Sequence, residues 1–164
     1  MSRRIMMPKL HWGRTVWALA LLLALCSISG GVSDEYFKAL QMIPLSRQPA
    51  PEFSLPMLGG SKVRLADFSG SVVFLNFWAT WCSPCREEMA SIEALHQSFD
   101  QDDVIVLAVS VGERPSTVEK YLSSNPVTFP ILLDQDKSVA RKYAISGVPS
   151  TFLIDQKGNL IAKS

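Results

Sequence analysis

Cysteine and histidine are scarce in this chain, with 3 of the first and 2 of the second among 164 residues. That scarcity argues against a structural zinc site, which needs four ligands drawn from paired Cys or His. A site built on Cys82 and Cys85 would have to recruit Cys26 from an apolar N-terminal run, or the lone His11 or His96. No metal ligand set is assigned. Covalent haem attachment lacks its histidine, since Arg86 follows the second cysteine. Excess charge is missing too. The 16 Lys and Arg against 15 Asp and Glu leave a formal charge of +1, without the basic aromatic stripe that nucleic-acid binding calls for. No Gly-rich phosphate loop follows a strand-like run.

What the chain does contain is Trp81-Cys82-Ser83-Pro84-Cys85, directly after the apolar run Val72–Trp78 and directly before a helical pattern. A C-x-x-C at a strand-to-helix turn is a place for redox chemistry. On one helical turn, residues three apart share a face with Cα atoms roughly 5 to 6 Å apart, within the range a disulfide tolerates. Cys82 falls at the helix N-terminus, where unpaired N–H groups and the macrodipole favour negative charge. Its thiolate is expected to form below the ordinary thiol value of about 8.5, which makes Cys82 the expected nucleophile. Cys85, a turn inside, is placed to attack a mixed disulfide at Cys82 and release the client. Pro84 suits a first helical turn, and neither intervening residue adds positive charge, which points to a moderately reducing couple. A purely structural disulfide is the alternative, although so short a loop constrains the unfolded chain little.

Phe77-Trp78-Ala79-Thr80-Trp81-Cys82-Ser83-Pro84-Cys85 resembles the active-site block of membrane-anchored, thioredoxin-like thiol-disulfide oxidoreductases, the family that includes ResA and TlpA. Upstream, Pro49–Leu55, a Gly59-Gly60 turn and Leu65–Gly70 resemble the family's entry hairpin. Downstream, Phe129–Asp134 and Gly147–Asp155 resemble its later strands. The likeness spans residues 49–164. It implies an α/β, thioredoxin-like fold with a central mixed β-sheet flanked by helices, an N-terminal β-hairpin, and a family-type insertion over residues 112–133. Family members usually continue past the last hairpin into a further helix, whereas this chain stops at Ser164. The expectation is a domain lacking that C-terminal helix, with apolar positions of Val72–Trp78 and Thr151–Ile154 left without cover.

The same resemblance implies roles for single residues. Pro149 is expected to be cis, leaving the backbone of Val148 free to pair with an extended substrate. Trp81 is expected to shield the sulfurs and offer an apolar docking surface. Asn76 stands where ordinary thioredoxin carries a buried aspartate, so that base is missing. Glu88 matches a glutamate found beneath the active site in ResA-like members, and it lies on the helical face of Cys85. A partly buried carboxylate there would have a raised pKa and could accept a proton. A solvated helix start, Arg86-Glu87-Glu88, is the competing reading. His96 reads as a lone surface histidine and Trp78 as core or site.

Hydrophobic alternation and punctuation predict a hairpin at Phe53–Leu55 and Lys62–Leu65, a strand at Val72–Trp78 and a helix over Ser83–Phe99. Strand Val104–Ser110, helix Ser116–Ser124, strand Ile131–Leu133, helix Ser138–Tyr143 and a hairpin Thr151–Ile154 to Leu160–Ala162 follow. Residues 1–31 read as a signal-anchor or signal peptide: Arg3, Arg4, Lys9 and Arg14 precede an apolar stretch from Thr15 to Ile28, with Asp34 and Glu35 beyond it. Residues 32–48 read as a polar, Pro-containing tether, leaving 49–164 as one globular domain. The expected location is the bacterial cell membrane by a single N-terminal anchor, with the catalytic domain on the periplasmic side, or free in the periplasm if Ser27-Ile28-Ser29 is cleaved.

In such an oxidising compartment, reduced thiols need electrons delivered through the membrane. The resemblance implies a CcdA- or DsbD-type membrane donor, and a disulfide-containing client such as oxidised apocytochrome c or a copper-site assembly protein. No cofactor beyond the redox-active disulfide is expected. A binding module whose paired thiolates hold Cu(I) is the alternative from a different class. The peroxidase reading is weaker, because the pattern Pro-x-x-x-Thr-x-x-Cys is absent.

Overall fold

The computed structural model describes residues 42–100 and 102–164. The segment expected to be a signal or anchor, with Cys26 and His11, lies outside them. Among the described residues, eight strands and three helices follow in order: β1 Ile43–Pro49, β2 Ser54–Pro56, β3 Lys62–Arg64, β4 Val72–Trp78, α1 Ser83–Ser98, β5 Val104–Val111, α2 Pro115–Leu122, β6 Ile131–Asp134, α3 Ser138–Lys142, β7 Ser150–Ile154 and β8 Asn159–Lys163. A 3-10 turn at Leu65–Phe68 links β3 to β4. Six strands form one sheet in the order β1-β8-β7-β4-β5-β6, and β2 with β3 forms a separate hairpin.

The sheet is mixed because β4 pairs parallel with β5 on one side and antiparallel with β7 on the other. Its apolar run, broken only by Asn76, fits this central place, where both faces are covered. Val73, Leu75 and Phe77 join one core cluster with Val109, Tyr143 and Phe152. Trp78 joins a second, with Met89, Ile92 and Val118 from α1 and α2. Phe77 and Phe152 meet edge to face at 5.9 Å, an arrangement aromatic quadrupoles favour. The entry hairpin docks on the β6 edge, where the Leu58 N–H donates to the Ile131 carbonyl at 2.9 Å.

Three expectations need correction. Of the expected tether, Ile43–Gln48 belongs to the folded domain, as most of β1. Two prolines and a largely exposed row of side chains hide this strand from sequence patterning, yet both are tolerable on an edge that pairs only with β8. The expected uncovered face is also not found: Val72, Val73, Leu75, Phe77, Phe152 and Ile154 are all buried. Leu153 packs with Met42 and Ala162, and Phe74 lies partly buried against them. Among the described residues, Ile43 and Trp81 are the large exposed apolar side chains. His96, expected at the surface, is only 6% exposed. It continues the buried stripe of Met89 and Ile92 on α1 and meets the Phe129 ring edge-on at 5.9 Å.

Helix α3 shows how a fully buried acid can hold the fold. Asp134, at the end of β6, accepts the N–H of Val139 at 3.2 Å and of Ala140 at 2.8 Å. Those donors open a short helix whose N-cap residue, Lys137, supplies no side-chain cap. Asp134→Ala leaves both without a partner and is expected to lower unfolding free energy by about 2 kcal/mol. Urea denaturation of the oxidised protein measures this, and an unchanged midpoint would contradict it.

Candidate active site

The C-terminal end of β4 delivers the chain into a short loop, Ala79-Thr80-Trp81, and then into α1. Cys82 is the N-cap of that helix, with Pro84 in its first turn as expected. Its sulfur accepts the Cys85 N–H at 3.3 Å, one of the donors a helix start leaves open. Cys82 and Cys85 form a disulfide, with Cα atoms 5.3 Å apart. Cys82 is 5% exposed and Cys85 fully buried, so attack from solvent meets Cys82 first.

Across from the pair lies the turn before β7. The Val148–Pro149 bond is cis, and the Cys82 sulfur sits 3.4 Å from the Val148 carbonyl oxygen. Trp81, beside them, is 69% exposed. The structure therefore brings Trp81, Cys82, Val148 and Pro149 together at one end of the sheet. Trp78 is not part of this surface, being fully buried against the ring of Tyr121 at 5.6 Å.

Beneath the disulfide, Glu88 is half-buried and accepts a 2.8 Å hydrogen bond from Asn76 Nδ2. Asn76 is fully buried on β4 and also donates to Thr151 Oγ1 at 3.1 Å. Burial pushes the Glu88 carboxyl above its ordinary value, against the opposing pull of the Asn76 bond. The position that lacks the expected base thus holds the carboxylate that could replace it. Nothing in the spacing of Asn76 and Glu88 announces this contact, because strand and helix meet only in the folded sheet.

Two further residues belong to the site's surroundings and have no signal in the motif. Arg86 donates to the Thr80 carbonyl at 3.1 Å. Glu113, just past β5, is 8% exposed, and its carboxylate accepts the Thr80 N–H at 2.9 Å, the Thr80 hydroxyl at 2.5 Å and the Ser110 hydroxyl at 2.9 Å. The sign that could have found it is its position after Gly112 at the carboxyl end of a parallel strand, where α/β sheets gather their sites.

A disulfide at a helix N-terminus, covered by a cis-proline turn on a mixed sheet, defines a thioredoxin-fold thiol-disulfide oxidoreductase. A sequence profile of the AhpC/TSA family matches residues 46–163. The thiol-disulfide oxidoreductase ResA of Geobacillus thermodenitrificans (strain NG80-2) is 38% identical over 140 residues, covering 85% of this chain and 80% of that protein. ResA of Bacillus subtilis (strain 168) is 35% identical over 141 residues, covering 86% and 78%. Among solved structures, the thioredoxin domain of a thiol-disulfide oxidoreductase from Bacteroides vulgatus superposes with a TM-score of 0.67 at 28% identity, covering 73% of this chain and 89% of that one. The chain belongs to the AhpC/TSA family, among its ResA-like thiol-disulfide oxidoreductases.

The raised Glu88 carboxyl binds its proton more tightly folded than unfolded. Stability is therefore fullest below the ordinary 4.5 and falls as pH rises through the folded value. Glu88→Gln has nothing to ionise there and should lose that fall. Urea midpoints of the oxidised protein, followed upward from below pH 4.5, are expected to diverge in the variant's favour. Parallel profiles would contradict the burial of this charge.

Proposed function

We propose that this oxidoreductase works outside the cytoplasm as a reductant of protein disulfides, with Cys82 attacking and Cys85 resolving. The observation that carries the reading is the Cys82 sulfur at the α1 N-cap, beside the Val148 carbonyl and the exposed Trp81. In the dithiol state the helix N-terminus favours the Cys82 thiolate. An extended client docks on Trp81 and along Val148 and Pro149. The Cys82 sulfur bonds to one client sulfur as the client disulfide breaks, and the second client sulfur leaves as a thiolate. Cys85 then gives up its proton and attacks Cys82. The Cys82–Cys85 bond forms, and the first client sulfur leaves. Two electrons have passed to the client. Glu88, raised by burial and one turn below Cys85, takes the Cys85 proton.

The domain is left oxidised and needs two electrons to act again. A CcdA- or DsbD-type membrane donor would supply them, and the ResA-like sequence supports oxidised apocytochrome c as the client class, with a role in cytochrome c maturation. The basic residues before the apolar stretch Thr15 to Ile28 support export with an N-terminal membrane anchor. Among the described residues no helix is long and apolar enough to cross a membrane, and that stretch lies outside them.

Two measurements test this. Metal-free Cys85→Ser, incubated with an oxidised Cys-x-x-Cys peptide, is expected to accumulate a stable mixed disulfide through Cys82. Trapping by Cys82→Ser instead would reverse the roles. The full chain, made in a bacterium whose outer envelope has been opened, should react at reduced Cys82 with a membrane-impermeant maleimide. Protection until the inner membrane is lysed would place the domain in the cytoplasm.

A further inference from the structure

We infer that Glu113 is a positioning residue of the exchange reaction: it clamps Thr80 and thereby fixes the Trp81–Cys82 segment over the helix start. This rests on the oxidoreductase reading of the site and adds a residue to it. A carboxylate as buried as Glu113 is costly unless its charge is met. The ion pairs among the described residues, Arg47–Asp155 and Arg64–Asp67, do not include it. Three donors meet it instead, and two of them come from one residue, Thr80.

Thr80 is consequently held at every polar atom it has. Its N–H and hydroxyl go to Glu113, and its carbonyl accepts from Arg86 on α1. The next turn closes locally, with the Cys82 N–H donating to the Ala79 carbonyl at 3.1 Å. The loop is thus tied on one side to the helix it feeds and on the other to β5. The register explains the meeting. Trp78 on β4 stands opposite Ser110 on β5, so Thr80 and Glu113 both emerge just past the paired ends. A left-handed turn at Gly112, φ 74°, lets the chain turn there before Glu113 reaches Thr80. Displacing a reacting sulfur by about 1 Å can cost up to about a hundredfold in rate, so a pin two residues from Cys82 bears directly on exchange.

Substitutions separate a clamp from a charge. In Glu113→Gln the amide oxygen still accepts two donors, and the amide NH2 donates to a hydroxyl that rotates to accept. The clamp survives and the charge does not. Glu113→Ala removes both. Thr80→Val removes one of the bonds and keeps the N–H. With the full chain reduced and held well below its melting transition, two rates are read: exchange with an oxidised Cys-x-x-Cys peptide, and alkylation of Cys82 by iodoacetamide at neutral pH. Glu113→Ala is expected to slow exchange by about tenfold or more. It should also slow alkylation, because a released loop lets Cys82 leave the N-cap. Glu113→Gln should restore both rates to within about threefold of wild type, Thr80→Val should fall between, and adding Thr80→Val to Glu113→Ala should change little. A folded Glu113→Ala with wild-type rates overturns the inference, as does Glu113→Gln as slow as Glu113→Ala. Should Glu113→Ala fail to fold, wild-type rates in Thr80→Val overturn it equally. A wild-type chain that does not reduce the peptide would sink the oxidoreductase reading alone, and the alkylation rates would then decide the clamp.

Discussion

The catalytic end depends on where β4 stops. Paired on both sides and packed on both faces, β4 has no freedom to shift along the sheet, since a slip of one residue would send Phe77 into the cluster of Trp78. The start of α1 inherits that fixity. Only Ala79, Thr80, Trp81 and Cys82 separate strand from helix, so the open N–H groups of the helix are held over the end of the sheet rather than left to wander. A sulfur placed there meets a donor and the positive end of a dipole together. The reactivity of one cysteine is thus a consequence of strand pairing several residues away.

Around that end, the core gives up apolar packing. Asn76, Ser110, Glu113 and Thr151 are buried polar residues on or next to the three central strands, and Glu88 reaches toward them from α1. Apart from the local Ser110–Glu113 bond, their hydrogen bonds run between elements, which makes the group a set of cross-ties. Low local polarity strengthens each tie and penalises each gap. Asn76 Oδ1 and Trp78 Nε1 have no hydrogen-bond partner among the described residues. An apolar set would pack at less cost, so the polar one is better understood through the thiol chemistry it surrounds.

Much of this could be read from the residues alone. The apolar run of β4, the C-x-x-C and the apolar stripe of α1 are local signals, and the observed bounds of β4 coincide with those expected. The cis bond at Pro149 was readable only through resemblance, because a single X-Pro gives no local sign of its isomer. Partners joined across the fold were not readable. Glu113 and Thr80 lie far apart in sequence, and although Gly112 and the C-x-x-C motif mark their neighbourhoods, neither signal announces the contact between them. β1 was missed for another reason: an edge strand with one ladder and little burial has almost no pattern to detect. His96 misled because a single ionisable residue in an apolar stripe looks like the stripe's end, when it is part of it.

Strand directions alternate from β4 through β7 and β8 to β1, so β1 runs away from the end of the sheet where Cys82 lies. Read backward from Ile43, the backbone leaves the sheet heading toward the redox end, at an edge whose neighbours lead through β8 to β7 and the cis-proline turn. A domain leashed by its N-terminus would therefore hang with its reactive pole nearer the point of attachment and its opposite pole outward. Its working radius would be set by leash length plus little of the domain's own diameter. Partners embedded in the anchoring surface would lie within reach without the domain having to turn over, while a large client would have to approach through the gap between domain and surface.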